Sequence, residues 1–321
     1  MVLTVTINPL LEHRFTFANI NFNKPNRNGN LKLAAGGKGI NVSRQLKNLG
    51  IQNIALFFAG GTNGKLLRNA IKDESIDFSI INTKSETRTC AVIFDSNRNK
   101  AYYFFQQNSA ISKEEKDKFL LKLDKMIQNC EIVIFSGSSP SPEADDIFPL
   151  GIEMANKYDK ISVCDTYGKH LNDCLDASPG IVHNNLDEIK SSLNLNLNDE
   201  KEKIEFLSSL YEKGIKQVYI SDGEKDFYAS NFDFHYKILV PKIELVDSTG
   251  SGDAFVAGIV YGWHRKLTFN DQLKIATALG AVNAKSFEVC NVNPKEIKSL
   301  SEKVNIKPIG KRVKIIDDTP D

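Results

Sequence analysis

From Ser112 onward, apolar β-branched runs alternate with longer helical stretches, and this rhythm limits what the chain can become. Strands are expected at Glu131 to Phe135, Lys160 to Cys164, Gly180 to His183 and Gln217 to Ile220. Between them lie helices at 112–129, near 142–157, at 185–194 and at 199–213, with a short one before 180. Strands that are apolar on both faces need cover on both sides, and helical crossovers make consecutive strands parallel. The expected fold is therefore α/β, a three-layer αβα sandwich. Val2 to Ile7, stopped by Asn8-Pro9, and Asn53 to Ala59 supply further core strands, and a helix over Asn63 to Glu74 follows the Gly60-Gly61 turn. Two more strands are expected at 227–231 and 235–240, then helices near 269–287 and 294–303.

Two regions fit that core poorly. Residues 10–34 carry short pieces such as Phe15-Thr16-Phe17 around the polar stretch Asn23 to Asn30. Residues 87–106 hold Thr89 to Phe94 and Ala101 to Phe105, joined at Ser96-Asn97-Arg98-Asn99. Both read as small exposed strands, an inserted β lid on one domain spanning residues 1–321. The tail from Val304 is basic, then acidic, and has no assigned role.

Two glycine-rich turns carry the chemistry. In Val246-Asp247-Ser248-Thr249-Gly250-Ser251-Gly252-Asp253-Ala254-Phe255, the turn runs straight into an amphipathic helix with Phe255, Val256, Ile259, Val260 and Trp263 on one face. Ala254, Ala257, Gly258 and Gly262 let that helix pack closely against a neighbour. Glycines let an anion approach peptide N–H groups that have no intrahelical acceptor and lie at the positive helix end. A carboxylate there repels an anion, but it is useful if it takes a proton from a hydroxyl attacking a phosphoryl group. An ordinary N-terminal cap is the alternative. The second turn, Ala34-Ala35-Gly36-Gly37-Lys38-Gly39-Ile40-Asn41-Val42-Ser43-Arg44, opens a helix with Val42, Leu46 and Leu49 inward, closed by Gly50.

Composition narrows the partners. Formal net charge is +1, so no electrostatic case exists for nucleic acid or an acidic membrane surface. Five scattered cysteines form no CxxC pair, which argues for a reducing compartment and against zinc or disulfides. No signal peptide or membrane-spanning run is visible, and a cytoplasmic protein is expected. A dinucleotide oxidoreductase is disfavoured, because Gly36-Gly37-Lys38-Gly39 lacks GxGxxG spacing and follows an irregular lid segment rather than a strand.

Together, Gly-Gly-Lys-Gly-Ile-Asn-Val-Ser-Arg at 36–44 and Asp-Ser-Thr-Gly-Ser-Gly-Asp-Ala-Phe at 247–255 resemble the paired signatures of ribokinase-like PfkB sugar kinases. Thr4-Val5-Thr6-Ile7-Asn8-Pro9 and Asn41-Val42-Ser43-Arg44 are similar to the branch containing 1-phosphofructokinase and tagatose-6-phosphate kinase. Ser136-Gly137-Ser138 and Asn185-Leu186-Asp187-Glu188 match in order and spacing. The resemblance, covering residue 2 to about 290, implies a ribokinase-like sandwich that often pairs lid to lid as a homodimer. It implies ATP, Mg²⁺ and transfer to a hydroxyl of a phosphorylated ketohexose, with fructose 1-phosphate first, then tagatose 6-phosphate, then fructose 6-phosphate.

In that reading Asp253 is the base, and Gly250, Ser251 and Gly252 with the Asp253 N–H hold the transferring phosphate. Arg27, Lys38 and Arg88 clamp the substrate's own phosphate, and Glu12, Gly37, Asn41 and Ser138 contact the sugar. Asn185, Ser221, Gly223, Thr249 and Gly252 serve ATP, and Glu188 serves Mg²⁺ through water. The alternatives are a solvated lid for Arg27 and Arg88 and a plain N-cap for Asn185 and Glu188.

Four features depart from the family pattern: Glu12 for a sugar-binding aspartate, His183 for a lysine, Asp222 and Asp226 in the nucleotide turn, and Ser138-Ser139-Pro140-Ser141-Pro142 without its following glycine. Glu12 beside His13 is not read as an acid/base pair; His13 is expected on the lid surface. The nucleotide-side changes motivate a rival reading, a sugar-phosphate sensor with weakened catalysis on the same fold.

Overall fold

The computed structural model describes residues 1–309. Strand β1 (Val2–Thr6) lies inside a ten-stranded sheet, third from one edge, and the chain winds away from it in both directions. After β2 (Leu10–Phe17) and β3 (Asn30–Gly36), helix α1 (Lys38–Asn48) leads to β4 (Asn53–Gly60), and α2 (Gly61–Asp73) leads to β5 (Asp77–Thr83) at one edge. After β6 (Thr89–Asp95) and β7 (Lys100–Phe105), α3 (Lys113–Gln128) returns the chain to β8 (Ile132–Gly137) on the other side of β1. A capping box between Ser112 and Glu115 starts α3, whose Phe119, Leu123 and Ile127 turn inward. Then α4 (Ile147–Lys157), β9 (Ile161–Thr166), α5 (Leu171–Asp176), β10 (Ile181–Asn185), α6 (Leu186–Leu193), α7 (Glu200–Glu212) and β11 (Gln217–Ser221) continue the parallel sheet. The antiparallel strands β12 (Phe227–Asn231), β13 (Phe234–Leu239) and β14 (Asn305–Ile309) complete it.

Side-chain alternation divides the core. Leu3, Val5, Val133, Phe135, Cys164 and Val182 face α3 to α7. Val2, Ile132, Ile134, Val163, Ile181 and Tyr219 face α1, α8 (Ser251–His264) and α9 (Phe269–Asn283). At the carboxyl ends of the strands, the second face changes character. Thr6, Ser136, Asp165, His183 and Ser221 occupy positions whose alternation partners two residues earlier are Thr4, Ile134, Val163, Ile181 and Tyr219. A polar rim therefore opens beneath the starts of α1 and α8, at the reversal of strand order between β1 and β8, where open α/β sheets bind ligands.

The lid is a second sheet ordered β3-β2-β6-β7. It is more regular than the sequence pattern indicates: β2 runs for eight residues. β3 leads directly into the Gly36-Gly37 turn, so that turn does follow a strand, contrary to the expectation of an irregular segment. The strand belongs to the lid sheet rather than to a parallel βαβ unit, which keeps the turn distinct from a dinucleotide fold. Two edge strands escaped the sequence reading. β5 lacks a clean apolar alternation, and β14 contains Pro308, which is tolerated only at an edge. The tail reading from Val304 covers β14 as far as Ile309; its remainder lies outside the described residues.

Helix α8 is buried all round from Asp253 to Val260 rather than on one face. Its small residues make this possible, because a Cβ on Gly258 would stand 2.5 Å from the Ala276 Cα. Backbone cannot give way as a flexible side chain can. Gly258→Ala should therefore destabilise the fold by about 1–3 kcal/mol, the usual cost of overpacking. Urea unfolding measures this, and an unchanged midpoint would show that α8 and α9 separate freely.

Candidate active site

The polar rim, the two glycine turns and the lid enclose one cavity of about 1090 Å³. Gly37 caps α1 at φ 126°, and Gly250 caps α8 at φ 77°, backbone conformations that L side chains rarely adopt. Gly252 has a separate reason: a Cβ there would stand 3.1 Å from the His183 Cε1. Of the N–H groups at the start of α8, that of Ser251 is donated to the Ser248 carbonyl at 3.0 Å. This corrects the expectation that Ser251, Gly252 and Asp253 all present free N–H groups. Those of Gly252 and Asp253 have no acceptor among the described residues.

Asp253 is buried in the first turn of α8. Its Oδ2 accepts a 2.7 Å hydrogen bond from Asn41 Nδ2, and Asn41 Oδ1 accepts from Arg44, whose guanidinium also pairs with Glu74. Asn41 thus orients Asp253 with one of its two amide protons, and it lines the cavity, where the sequence reading sets it against the sugar. Burial raises the Asp253 pKa to about 7; Lys38 and the Asn41 bond lower it, while Asp165 and Glu188 add to the rise.

Lys38 is likewise not a free phosphate clamp. Its ammonium lies 3.2 Å from Asp165 Oδ1 and 2.6 Å from Glu188 Oε1, and 5.2 Å from the Tyr167 ring centre. Although burial works against the charge, these carboxylates and Asp253 raise the Lys38 pKa and keep it ionised. Asp165 went unnoticed in the sequence because it stands within an apolar strand. It is fully buried, holds Lys38 and His183 (Nδ1 at 3.0 Å), and its pKa is lowered by those partners against the opposing effect of burial. His183 Nε2 in turn lies 3.3 Å from Ser221 Oγ.

Asn185 and Glu188 form a reciprocal capping box at the start of α6, and both line the cavity, where Glu188 Oε1 binds Lys38 in addition. Among the described residues no group of three or more His, Cys, Asp or Glu side chains is arranged to hold a metal.

At the other end of the cavity, Asn8 Nδ2 donates to Ser138 Oγ and to Asn108 Oδ1, each at 3.0 Å. Arg88 donates to Asn108 Oδ1 and to the Asn8 carbonyl, both at 3.1 Å, while its buried Nε has no partner. No carboxylate among the described residues forms an ion pair with Arg88. Glu12 faces the same space 3.7 Å from Arg14 Nε, and burial raises its pKa. His13 points to the opposite face of the lid sheet, half-buried, by strand alternation. Arg27 does not join these residues: it stands exposed on the β2–β3 loop, away from the cavity lining.

Ser221, Gly223, Thr249 and Gly252 also line the cavity, with Val240, Pro241 and Ala281. Asp222 there pairs with Lys225 at 3.3 Å, which offsets the negative charge that its sequence position adds.

The sequence profile described as "pfkB family carbohydrate kinase" matches residues 11–296. The chain belongs to this family. It is therefore a phosphotransferase with an alcohol acceptor, and its ribokinase-like architecture is that of the family. It is 28% identical to tagatose-6-phosphate kinase of Staphylococcus epidermidis over 309 residues, 95% of this chain and 99% of the relative. Among solved structures, a possible 1-phosphofructokinase from Thermotoga maritima superposes with TM-score 0.87 at 23% identity, covering 96% of this chain and 99% of the other. Phosphofructokinase-2 from Escherichia coli in complex with fructose-6-phosphate does so with TM-score 0.80 at 21% identity, covering 94% and 99%.

The raised Asp253 pKa also affects stability. Below pH 3.8 the carboxyl is neutral in both folded and unfolded chains and contributes no penalty. As pH rises towards about 7, the unfolded chain loses the proton while the folded one keeps it, so folding becomes progressively costlier. Asp253→Asn should therefore raise the Tm at pH 8 by several degrees and give no gain near pH 4. Differential scanning calorimetry at both pH values checks this; a lower Tm at pH 8 would show that the charge is stabilising.

Proposed function

We propose that this kinase transfers the γ-phosphate of ATP, delivered with Mg²⁺, to a hydroxyl of a phosphorylated ketohexose. The observation that carries the proposal is one cavity holding both Asp253, a buried carboxylate poised near neutrality, and Arg88, a cation without a carboxylate partner among the described residues. A sugar bearing its own phosphate satisfies Arg88, whose planar fork can take two phosphate oxygens. Glu12, Asn8 and Ser138 supply acceptors and donors for the hydroxyls between.

In the proposed reaction Asp253 accepts the proton of the attacking hydroxyl. The free N–H groups of Gly252 and Asp253 stabilise the transferring phosphoryl group, aided by the positive end of α8. Lys38 neutralises charge between Asp165 and Glu188. Three carboxylates around one lysine leave that region negative, so a polyanion without a counterion would be repelled. This favours nucleotide arriving with its metal, held mainly by phosphate oxygens and water, with Glu188 able to reach it through water. When bound, Mg²⁺ supplies charge neutralisation on the phosphates. Asn185, Ser221, Gly223 and Thr249 complete the nucleotide end. The acceptor is fructose 1-phosphate, tagatose 6-phosphate or fructose 6-phosphate, and the curated relative's name brings tagatose 6-phosphate forward.

The outer face of the lid leaves Phe22, Leu31 and Phe104 exposed by about half or more. Leu31 and Phe104 share that face with His13 and Phe15, and we assign the surface to lid-to-lid pairing with a second copy. Light scattering that gives the mass of one chain would remove that assignment.

An ADP-release screen over the three phosphosugars, with fructose, ribose and nucleosides as controls, should show turnover on a phosphosugar. Turnover only on unphosphorylated substrates would exclude the Arg88 anchor. Arg88→Ala should raise KM for the phosphosugar roughly tenfold or more, the scale of a charged hydrogen bond, and leave KM for ATP unchanged; equal effects on both would reject the placement. Asp253→Asn should lower kcat by about a hundredfold or more. Because only ionised Asp253 accepts the proton, log kcat/KM should climb with unit slope up to a pH of about 7 and then level. A flat profile from pH 5 to 8 would contradict a titrating base.

A further inference from the structure

The lid touches the phosphoryl-transfer loop at a place that the proposed reaction does not use. Tyr103, on lid strand β7, donates its phenolic proton to Asp247 Oδ2, across 144 residues of chain. Asp247 Oδ1 accepts the Thr249 N–H at 3.0 Å, fixing the turn that leads into Gly250 and Asp253. Behind this turn, Asn283 Nδ2 donates to the Thr249 carbonyl at 2.8 Å and to Ser251 Oγ at 3.2 Å, and Cys290 Sγ donates to the Gly250 carbonyl at 3.2 Å. The same 283–290 segment meets the lid a second time. Phe287 stacks on Phe94 with ring centres 3.9 Å apart, and its carbonyl accepts from Arg14 at 2.8 Å.

We propose that Tyr103 and Asp247 form a latch through which the seated lid holds the 247–253 loop in the shape that presents the Gly252 and Asp253 N–H groups and the Asp253 carboxylate. Both are positioning residues, and the proposal rests on the phosphosugar-kinase reading for its kinetic consequence. The hydrogen-bonding inventory excludes a simpler role in donating to the substrate. A phenol has one proton, and Asp247 takes it, so Tyr103 has only its lone pairs to offer a ligand. Asp247 is doubly engaged: one oxygen shapes the loop and the other reads the lid. When the lid swings away, the bond to Tyr103 is lost, and the loop keeps its own Asp247–Thr249 bond and the support from Ala284, Asn283 and Cys290, none of which comes from the lid. Closure over a bound sugar would therefore assemble the phosphate-holding geometry at the moment it is needed, which commits the enzyme to transfer onto sugar rather than onto water.

Tyr103→Phe keeps the ring, which stacks beside Phe105, and removes only the latch. It should lower kcat roughly tenfold with KM for ATP unchanged, as expected for losing one hydrogen bond to a charged group. Hydrogen–deuterium exchange on the unliganded protein should show faster exchange in 248–253 and no change in α3, which lies remote from the latch. Adding Asp247→Asn to Tyr103→Phe should cost no more than Asp247→Asn alone, because the two act through one bond. Unchanged kcat with unchanged exchange in Tyr103→Phe overturns the latch. A raised phosphosugar KM without faster exchange does too, because it assigns the phenol to the sugar. If the wild-type enzyme turns over no phosphosugar, the proposed function fails, and the exchange comparison still decides the latch independently.

Discussion

The buried ammonium of Lys38 is the contact on which the site depends. It lies between Asp165 and Glu188, and its field also reaches Asp253, so three carboxylates from β9, α6 and α8 converge on one cation from α1. Without that cation the region would concentrate uncompensated negative charge in low dielectric, where such charge is very costly. With it, the carboxylates are unequal. Asp165 is bound directly by Lys38 and His183 and stays ionised, whereas the Asp253 carboxylate is hydrogen-bonded, among the described residues, to the amide of Asn41 alone and is pushed towards neutrality. Environment thus separates two chemically identical groups into a fixed charge and a group that titrates near neutrality, as the proposed acid–base role of Asp253 requires.

The fold makes this possible by changing the character of one sheet face only at its carboxyl edge. Along β8, β9 and β10, apolar residues packing against α1 and α8 give way to Ser136, Asp165 and His183. The small residues of α8 then let the helix lie close to its neighbours, so that its N-terminus comes directly over those polar ends. Placing Asp253 there opposes stability, and the lid, the Arg44–Glu74 pair and the Asn283 network support the surrounding backbone.

Much of this was legible in the sequence because it is local. A glycine turn that opens a helix requires particular residues at particular positions, and both turns are read from a few consecutive letters. The parallel core is likewise written in strand and helix periods. What escaped depends on distant partners. Asp165 looks like one polar residue in a strand until Lys38 is brought to it from 127 positions away. Nothing near Tyr103 in the chain indicates that it meets Asp247. Lys38 and Asn41 are prominent in the motif, yet their neighbours Glu188 and Asp253, which decide what they do, are contributed by other elements. Arg27 was assigned by its position relative to a family pattern, and the loop geometry leaves it outside the cavity of this chain.

The proposed role of Asp253 is that of a proton acceptor tuned by burial, and direct titration tests it without any substrate. With aspartate labelled by ¹³C at the carboxyl carbon, and the Asp253 resonance assigned by its absence in the asparagine variant, its chemical shift can be followed from pH 4 to pH 9. A midpoint at about 7 is expected. A midpoint near the ordinary aspartate value of about 3.9 would contradict it and leave the residue as a fixed charge at the start of a helix.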